Sequence, residues 1–442
     1  MPLRETATAI VERLRSAGFD AYFVGGCVRD MLLGIEPHDY DIASSAKPAD
    51  IKALFPRVIE VGAQFGVTKV EAGGEWFEVA AFRSDIGYSD GRRPDAVEFT
   101  DARGDVMRRD FTINGLLYNP IDNRVIDYVG GQDDIARKIV RCIGEPARRF
   151  DEDKLRLLRS VRFAARLDYE IEAATFSAVR ANAAEIRQVS AERIGIEILN
   201  IITGTHPDRG LQLLLETGLL QHVLPEINAM VGIEQPPEFH PEGDVFEHTK
   251  LMLSHLRSPS VELALAVLLQ DVGKPPTFRV AERIRFDEHA SVGADIAGQI
   301  CRRLRLPNSV TENVIMLIAT HMKFMDIQRM KESRLIRFLR EPYFLDALEL
   351  HRIDCLASHG NLDNYDFCKQ KLETLEPERV RPPRLLTGND LIEMAYVPGP
   401  SFTEILRATE DAQLEGLIST REEAFDFVHR NFPNPARTGD ET

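Results

Sequence analysis

One change of pattern, near residue 150, constrains this chain more than any other feature. Before it, short β-rich runs alternate with helical ones; after Asp151 the apolar spacing is almost wholly helical. The chain therefore reads as a small α/β head followed by a long all-α body, an α+β protein. In the head, "AYFVGG" (21–26) is a strand ending in two glycines, and "CVRDMLLG" starts a helix there. "YDIASS" is a second strand, and "PADIKALF" a short helix with Pro48 in its first turn. "RVIEVG", "GVTKVEAGG" and "WFEVAAFR" read as consecutive antiparallel strands, with Gly73-Gly74 as a hairpin turn. Residues 84–108 are polar and turn-rich and read as a mobile loop. Pro-dense joints fall at 234–244 and 376–385, and the last residues, "NPARTGDET", read as a disordered tail.

At 442 residues there is room for about two to four domains. Five cysteines, at 27, 142, 301, 355 and 368, include no CxxC pair, which argues against a disulfide framework and a cysteine zinc site. The first residues form an amphipathic pattern rather than a signal peptide, and "LALAVLL" (263–269) is too short to span a bilayer. No membrane association and a cytoplasmic location are expected, with no obligate protein partner evident. The net charge of −16 argues against non-specific attraction to nucleic acid. Residues 137–166 nevertheless hold ten Lys or Arg against four Asp or Glu, a local setting for an anion-binding cleft.

"PHDYDIASS" places Asp39 and Asp41 at i and i+2, so on a strand both carboxylates share one face. Two buried acids that close repel unless a cation lies between them, and hard oxygen ligands suit Mg²⁺. Upstream, Gly25 and Gly26 let backbone approach a phosphate, and Arg29 adds charge. Glu78, alternating with apolar neighbours on a later strand, offers a third carboxylate. Such acids beside a phosphate-binding turn indicate phosphoryl or nucleotidyl transfer.

The stretch "DEDKLRLLRSVRFAAR" (151–166) puts Arg156, Arg159, Arg162 and Arg166 on one helix face, with Asp153 one turn ahead of them. A solvated, salt-bridged face is the plain alternative. Cytosine and adenine each offer an exocyclic amino donor beside an unprotonated ring nitrogen, which a carboxylate next to a guanidinium complements. Uracil and guanine present the reverse. Asp153 and Arg156 thus carry groups complementary to C and A over U and G, though their spacing alone does not say what they meet.

"VGGCVRDMLLGIEPHDYDIAS", "RRDFTINGLLYNP", "EDKLR" and "AERIGIEIL" together resemble the class II tRNA nucleotidyltransferases, the CCA-adding group that also contains bacterial poly(A) polymerases. The resemblance implies a polymerase-beta-like nucleotidyltransferase head with a small mixed or antiparallel sheet. A helical neck, body and tail would follow. It implies Mg²⁺-dependent addition of CMP and AMP to the tRNA 3′ end from CTP and ATP. By the same resemblance Asp39 and Asp41 match the metal-binding pair and Glu78 the third acid. Gly26 and Arg29 match the triphosphate-binding turn, and Arg109 and Asp110 the nucleotide-sugar motif. Asp153, Arg156, Arg159 and Arg162 match the nucleotide-selecting helix.

Farther on, "FEHTKLML", "LLQDVGKP", "DEHASVGADIA", "THMKF" and "IDCLASHG" resemble an HD phosphohydrolase domain, with His248, Asp271, His289, His321 and Asp354 at the matching positions. Gln270 stands where the HD pair has its histidine, and an amide is a poor metal ligand. A degenerate site on a retained helical scaffold is the expectation. The implied organisation is a catalytic head at 1–145 and a neck with the selecting helix and RNA-binding region at 146–235. An HD-like domain at 236–375 and a C-terminal helical segment with its tail at 376–442 complete it. Within the resembled group, "GAQFGVTKV" (62–70) in place of the basic strand of poly(A) polymerases implies tRNA maturation, and an intact "YSDGRRPD" (88–95) is unlike the CC-only enzymes. A-only addition stays open, and an HD phosphohydrolase with a vestigial head is the reading from another class. Asp390 has no evident partner.

Overall fold

A computed structural model describes residues 2–61, 66–87, 96–236, 238, 241, 243–375 and 380–433. The motif at 88–95, part of 62–70 and of both proline-rich joints, and the tail at 434–442 lie outside the described residues. Helix α1 (Leu3–Ser16) buries Ala7, Ile10, Val11 and Leu14, one 3.6-residue stripe, and packs on the head's sheet. Chain order continues through β1 (Ala21–Val24), α2 (Gly26–Leu32), β2 (Ile42–Ser44), α3 (Pro48–Leu54), β3 (Val58–Glu60), β4 (Val67–Ala72) and β5 (Glu75–Ala81). A β6 (Arg83–Ile86) and β7 (Ala96–Phe99) pair, α4 (Ala102–Met107), β8 (Leu116–Asn119) and β9 (Arg124–Asp127) complete the head's strands.

Seven of these strands form one sheet in the order β3-β4-β5-β2-β1-β8-β9. Gly73 and Gly74 make the β4–β5 turn at φ of +62° and +88°, conformations glycine adopts without penalty. All neighbours are antiparallel except β2 and β5, which run parallel with Ile42 level with Val79. That register brings Asp41, just ahead of β2, level with Glu78.

The stretch 84–108 departs from the loop expected of it. Its described parts form the β6–β7 pair, with Arg83 opposite Phe99, and helix α4. Asp101 starts α4 by accepting from the Gly104 N–H at 2.8 Å, and Asp105, fully buried, receives Arg108 and Arg109. Charged residues that read as solvated are thus the internal braces of this segment.

Helix α5 (Gly131–Arg137) follows in the head, and the body is helical: α6 (Pro146–Glu152), α7 (Arg156–Leu167), α8 (Ala173–Ala181), α9 (Ala191–Ile202) and α10 (Pro207–Glu216). Short α11 (Leu220–Val223) and α12 (Pro225–Asn228) lead to α13 (Val245–Ser254), α14 (Val261–Leu269), α15 (Lys274–Thr277), α16 (His289–Arg303) and α17 (Asn308–Thr320). Then come α18 (Glu332–Leu339), α19 (Phe344–Ala357) and α20 (Asp363–Thr374). The apolar run of α14 is buried from Leu263 to Leu269, and no helix among the described residues is long and apolar enough to cross a membrane. One hydrophobic core runs from Ala7 to Cys368; a separate one joins α21 (Gly388–Glu393), α22 (Pro400–Leu414) and α23 (Arg421–Asn431). Asp390 finds its partners there, accepting from Thr387 at the start of α21 and pairing with Arg421. All five cysteines are buried and unpaired with one another.

Candidate active site

A cavity of about 600 Å³ brings residues of the head together with residues of α7 and α9. The head contributes Gly25, Gly26, Arg29, Asp39, Asp41, Arg109 and Asp110; the helices contribute Asp153, Arg156, Arg159, Arg166 and Arg193. Gly25 sits at φ +75°, and a Cβ there would lie 3.1 Å from the Arg109 guanidinium. That turn needs glycine for both reasons.

Asp39 and Asp41 precede β2 rather than lying in it, and both are exposed on the cavity wall, not buried. The Asp41 carbonyl still accepts from the Val24 N–H at 3.0 Å, so the backbone is held as an extension of the β1–β2 pair. Desolvation in the cleft, then the charges of Glu78 and Asp39, push the Asp41 carboxyl up to about 6 against the pull of Arg109. Glu78 is exposed on β5 and acts on Asp41 from beside the cavity.

A charged chain of contacts ties the head to α7. Arg29, buried, donates to Asp30 at 2.7 Å and to the Asn114 side-chain oxygen at 2.7 Å. Asn114 in turn donates to Asp110 at 3.2 Å, and Arg159 donates to the other Asp110 oxygen at 2.5 and 2.8 Å. Burial alone would raise Asp110; Arg159, Asn114 and the Phe111 N–H overcome it and bring the carboxyl down to about 2. Phe163 packs beneath, with the guanidiniums of Arg29, Arg159 and Arg162 at 5.4, 5.3 and 4.6 Å from its ring.

The arginine row is not one uninterrupted helix. α6 ends at Glu152, Asp153 is extended (φ −143°, ψ 104°), and α7 begins at Arg156. Asp153 accepts from the Leu155 N–H at 3.1 Å, the turn-forming habit that makes Asp a poor helix-interior residue. Its carboxylate also pairs with Arg193 at 3.2 Å. Arg156 is buried; it donates to the Arg149 carbonyl at 2.8 Å, Glu152 at 3.0 Å and the Arg108 carbonyl at 3.1 Å. Arg162 points away from the cavity's lining, donating to buried Glu197 at 3.1 Å. The solvated face that the spacing also allowed is absent, since three of the four guanidiniums meet buried or half-buried acids.

Arg193, Asn114, Asp30 and Asp105 carry much of this geometry and were not singled out from the sequence. One signal was present: Arg193 and Glu197 stand four apart on α9 amid Ile194, Ile198 and Ile201, so Glu197 meets α7 and Arg193 the turn before it.

The family model described as "Poly A polymerase head domain" matches residues 21–141. "Probable RNA and SrmB- binding site of polymerase A" matches 168–231, and "HD domain" 244–358. A CCA-adding enzyme of Pediococcus pentosaceus is 46% identical over 219 residues, 49% of this chain and 55% of that one. That match thus spans about half the relative's length. The CCA-adding enzyme of Ligilactobacillus salivarius is 42% identical over 419 residues, covering 93% of this chain and 92% of its own. The chain belongs to the CCA-adding enzyme family. Among solved structures, the Bacillus stearothermophilus CCA-adding enzyme in complex with CTP superposes with a TM-score of 0.76 at 27% identity, covering 98% of both chains.

The HD region of this family member also converges. His248 and Asp354 contact at 3.0 Å, His248 and Asp271 at 3.8 Å, and His289 and His321 at 3.2 Å. Asp271, His289, His321 and Asp354 line a cavity of about 510 Å³. Gln270 is buried, its amide nitrogen 3.2 Å from the Met252 sulfur.

Proposed function

We propose that this chain adds CMP and AMP to the 3′ end of tRNA from CTP and ATP. The observation that carries this reading is the single cavity in which exposed Asp39 and Asp41 face Arg109, Arg159, Arg193 and the Gly25-Gly26 turn. Asp39, Asp41 and Glu78 are all-oxygen donors whose mutual repulsion a hard cation would relieve, so they fit Mg²⁺. When bound, Mg²⁺ would lower the barrier by stabilising charge on the attacking hydroxyl and the departing pyrophosphate. The protein's own part is to hold the triphosphate at the Gly25-Gly26 turn beside Arg29, to seat the nucleotide sugar at Arg109, and to shape the base pocket around Asp153.

In this reading Asp153 accepts the exocyclic amino group of cytosine or adenine, and Arg156 donates to the adjacent ring nitrogen. Arg156 must then exchange contacts with Glu152 and the Arg108 carbonyl for the base, and Asp153 must loosen from Arg193. Uracil or guanine would leave a buried donor facing a donor, a mismatch that costs about 1–3 kcal/mol. The segment 168–231 supplies the surface for the tRNA. The test is incorporation of labelled CTP and ATP onto a tRNA transcript lacking CCA, for the wild type and Asp39→Ala. Addition by the wild type and none by the folded variant is expected; equal addition by both would sink the metal assignment.

A further inference from the structure

The face of the head's sheet that carries the acids continues past them. Side chains two apart on a strand, and those of directly paired residues, point to the same side of a sheet. Asp41 is level with Glu78, Glu78 is paired with Lys69, and Lys69 with Ile59. Trp76 stands two residues before Glu78, paired with Glu71. Asp41, Glu78, Trp76, Lys69 and Ile59 therefore share one face. The other face of these strands turns Val70, Phe77 and Val79 into the main core.

Cover on the acid-bearing face is partial. Val106 of α4 closes Val24, Ala43, Phe82 and Leu117 into a small second core. That cover stops short of the start of β5, where Trp76 is 46% exposed, with Ile59 and Lys69 also exposed on the neighbouring strands. One exposed apolar residue needs no explanation by itself. The position of this one does: at about 3.4 Å per residue it lies about 7 Å along β5 from Glu78, a span that a nucleotide of an extended strand bridges. An RNA strand whose 3′ hydroxyl reacts beside Asp39 and Asp41 thus brings its last bases to the indole. The ring offers a π surface to any base, and Lys69 a cation to backbone phosphate. A second protein chain finds a poorer seat, because the edge strand β3 has three residues and ends in Glu60, paired with Lys52 at 3.3 Å.

We propose that Trp76 stacks on one of the last two bases of the RNA strand being extended and holds its 3′ end beside the acids. This rests on nucleotide addition by the chain and names a residue that grips the RNA. Stacking is indifferent to base identity, so Trp76 serves each round of addition while Asp153 and Arg156 choose the incoming nucleotide.

The chain has a single tryptophan, so its emission reports this position alone. Titrating the full chain with a tRNA transcript that ends in CC, with no nucleotide present, should quench that emission. An abasic residue at one of the last two positions should abolish the quenching, and one farther upstream should leave it. Trp76→Ala and Trp76→Leu should each raise the KM for the transcript in AMP addition by about fivefold or more, the worth of one base–aromatic stack. The KM for ATP should stay within about twofold, because the lost contact is to the RNA. Trp76→Phe should recover most of the loss, since a phenyl ring still stacks, and circular dichroism would check that each variant folds. No quenching by the transcript, quenching that survives both terminal abasic residues, a transcript KM raised less than about fivefold in Trp76→Ala, or Leu serving as well as Phe would each overturn the proposal. Emission that shifts with protein concentration in the absence of RNA would give the face to a second copy and overturn it too. A wild type that adds no nucleotide would remove the parent reading as well, a result distinct from an active wild type whose variants bind RNA equally.

Discussion

Replacing Asp110 by Asn tests whether the buried charge chain between head and α7 holds the site together. Asp110 is 8% exposed and accepts from Arg159, Asn114 and the Phe111 N–H. Its carboxyl falls from an ordinary 3.8 to about 2, the arginine and hydrogen bonds outweighing burial. At about 1.4 kcal/mol per pH unit, that difference is worth about 2.5 kcal/mol at neutral pH. A wholly buried pair that loses one partner costs about 3–5 kcal/mol, and the 31% exposure of Arg159 places this one at the lower edge. Asp110→Asn should therefore destabilise the head by about 2–3 kcal/mol. Trp76, the chain's one tryptophan, lies on β5 of the head, so its fluorescence in a urea titration reads the right domain. The folded-state acid is the stronger one, so its contribution is complete above about pH 5 and fades as pH falls from about 4 toward 2. The gap between wild type and variant should be constant from pH 7 to pH 5 and narrow below about pH 4. A gap under about 0.5 kcal/mol, the range of an ordinary surface substitution, or one that does not narrow in acid, would refute the reasoning.

Other expectations concern chemistry and packing. Asp41→Asn should abolish nucleotide addition with no loss of stability, measured by incorporation and urea titration side by side; retained addition would count against a metal at the acid pair. Asp153→Ala, and separately Arg156→Ala, should raise UTP and GTP incorporation relative to CTP and ATP by about tenfold or more, the worth of one base-edge contact. Unchanged base choice would remove Asp153 and Arg156 from the selecting role. Arg193→Ala should alter kcat/KM for both nucleotides without favouring a wrong base, because it touches Asp153 rather than the base. Gly131→Ala in α5 should destabilise by about 1–3 kcal/mol, since the new Cβ would lie 2.2 Å from the Thr112 carbonyl oxygen. That reverses the small gain a helix normally draws from this change, and a stabilised variant in urea would contradict the packing.

Much of the fold could be read from local pattern, and the exceptions share a cause. The antiparallel run β3-β4-β5 and its Gly73-Gly74 turn follow from period-two alternation and glycine pairs. The parallel β2–β5 contact does not, because a parallel pairing depends on where the chain returns. In 84–108 the error came from treating charge as exposure: Asp105 is fully buried because Arg108 and Arg109 arrive from its own helix and the turn after it. The arginine row was read as a ligand-facing helix from its spacing, but its protein partners Asp110 and Glu197 lie 49 and 35 residues away, beyond the reach of local pattern. The bend at Asp153 is a local effect of an aspartate turn, legible in principle, and masked by the continuous arginine spacing around it.

The central claim is tested most directly with three tRNA transcripts, ending before CCA, after its first C, and after CC. Each would be given CTP, ATP or both with Mg²⁺, and the products sized to one nucleotide. The account predicts completion of CCA on all three when both nucleotides are present, and a halt after CC with CTP alone. Addition of A only to the CC end, long A tails on any RNA, or no addition at all would contradict it.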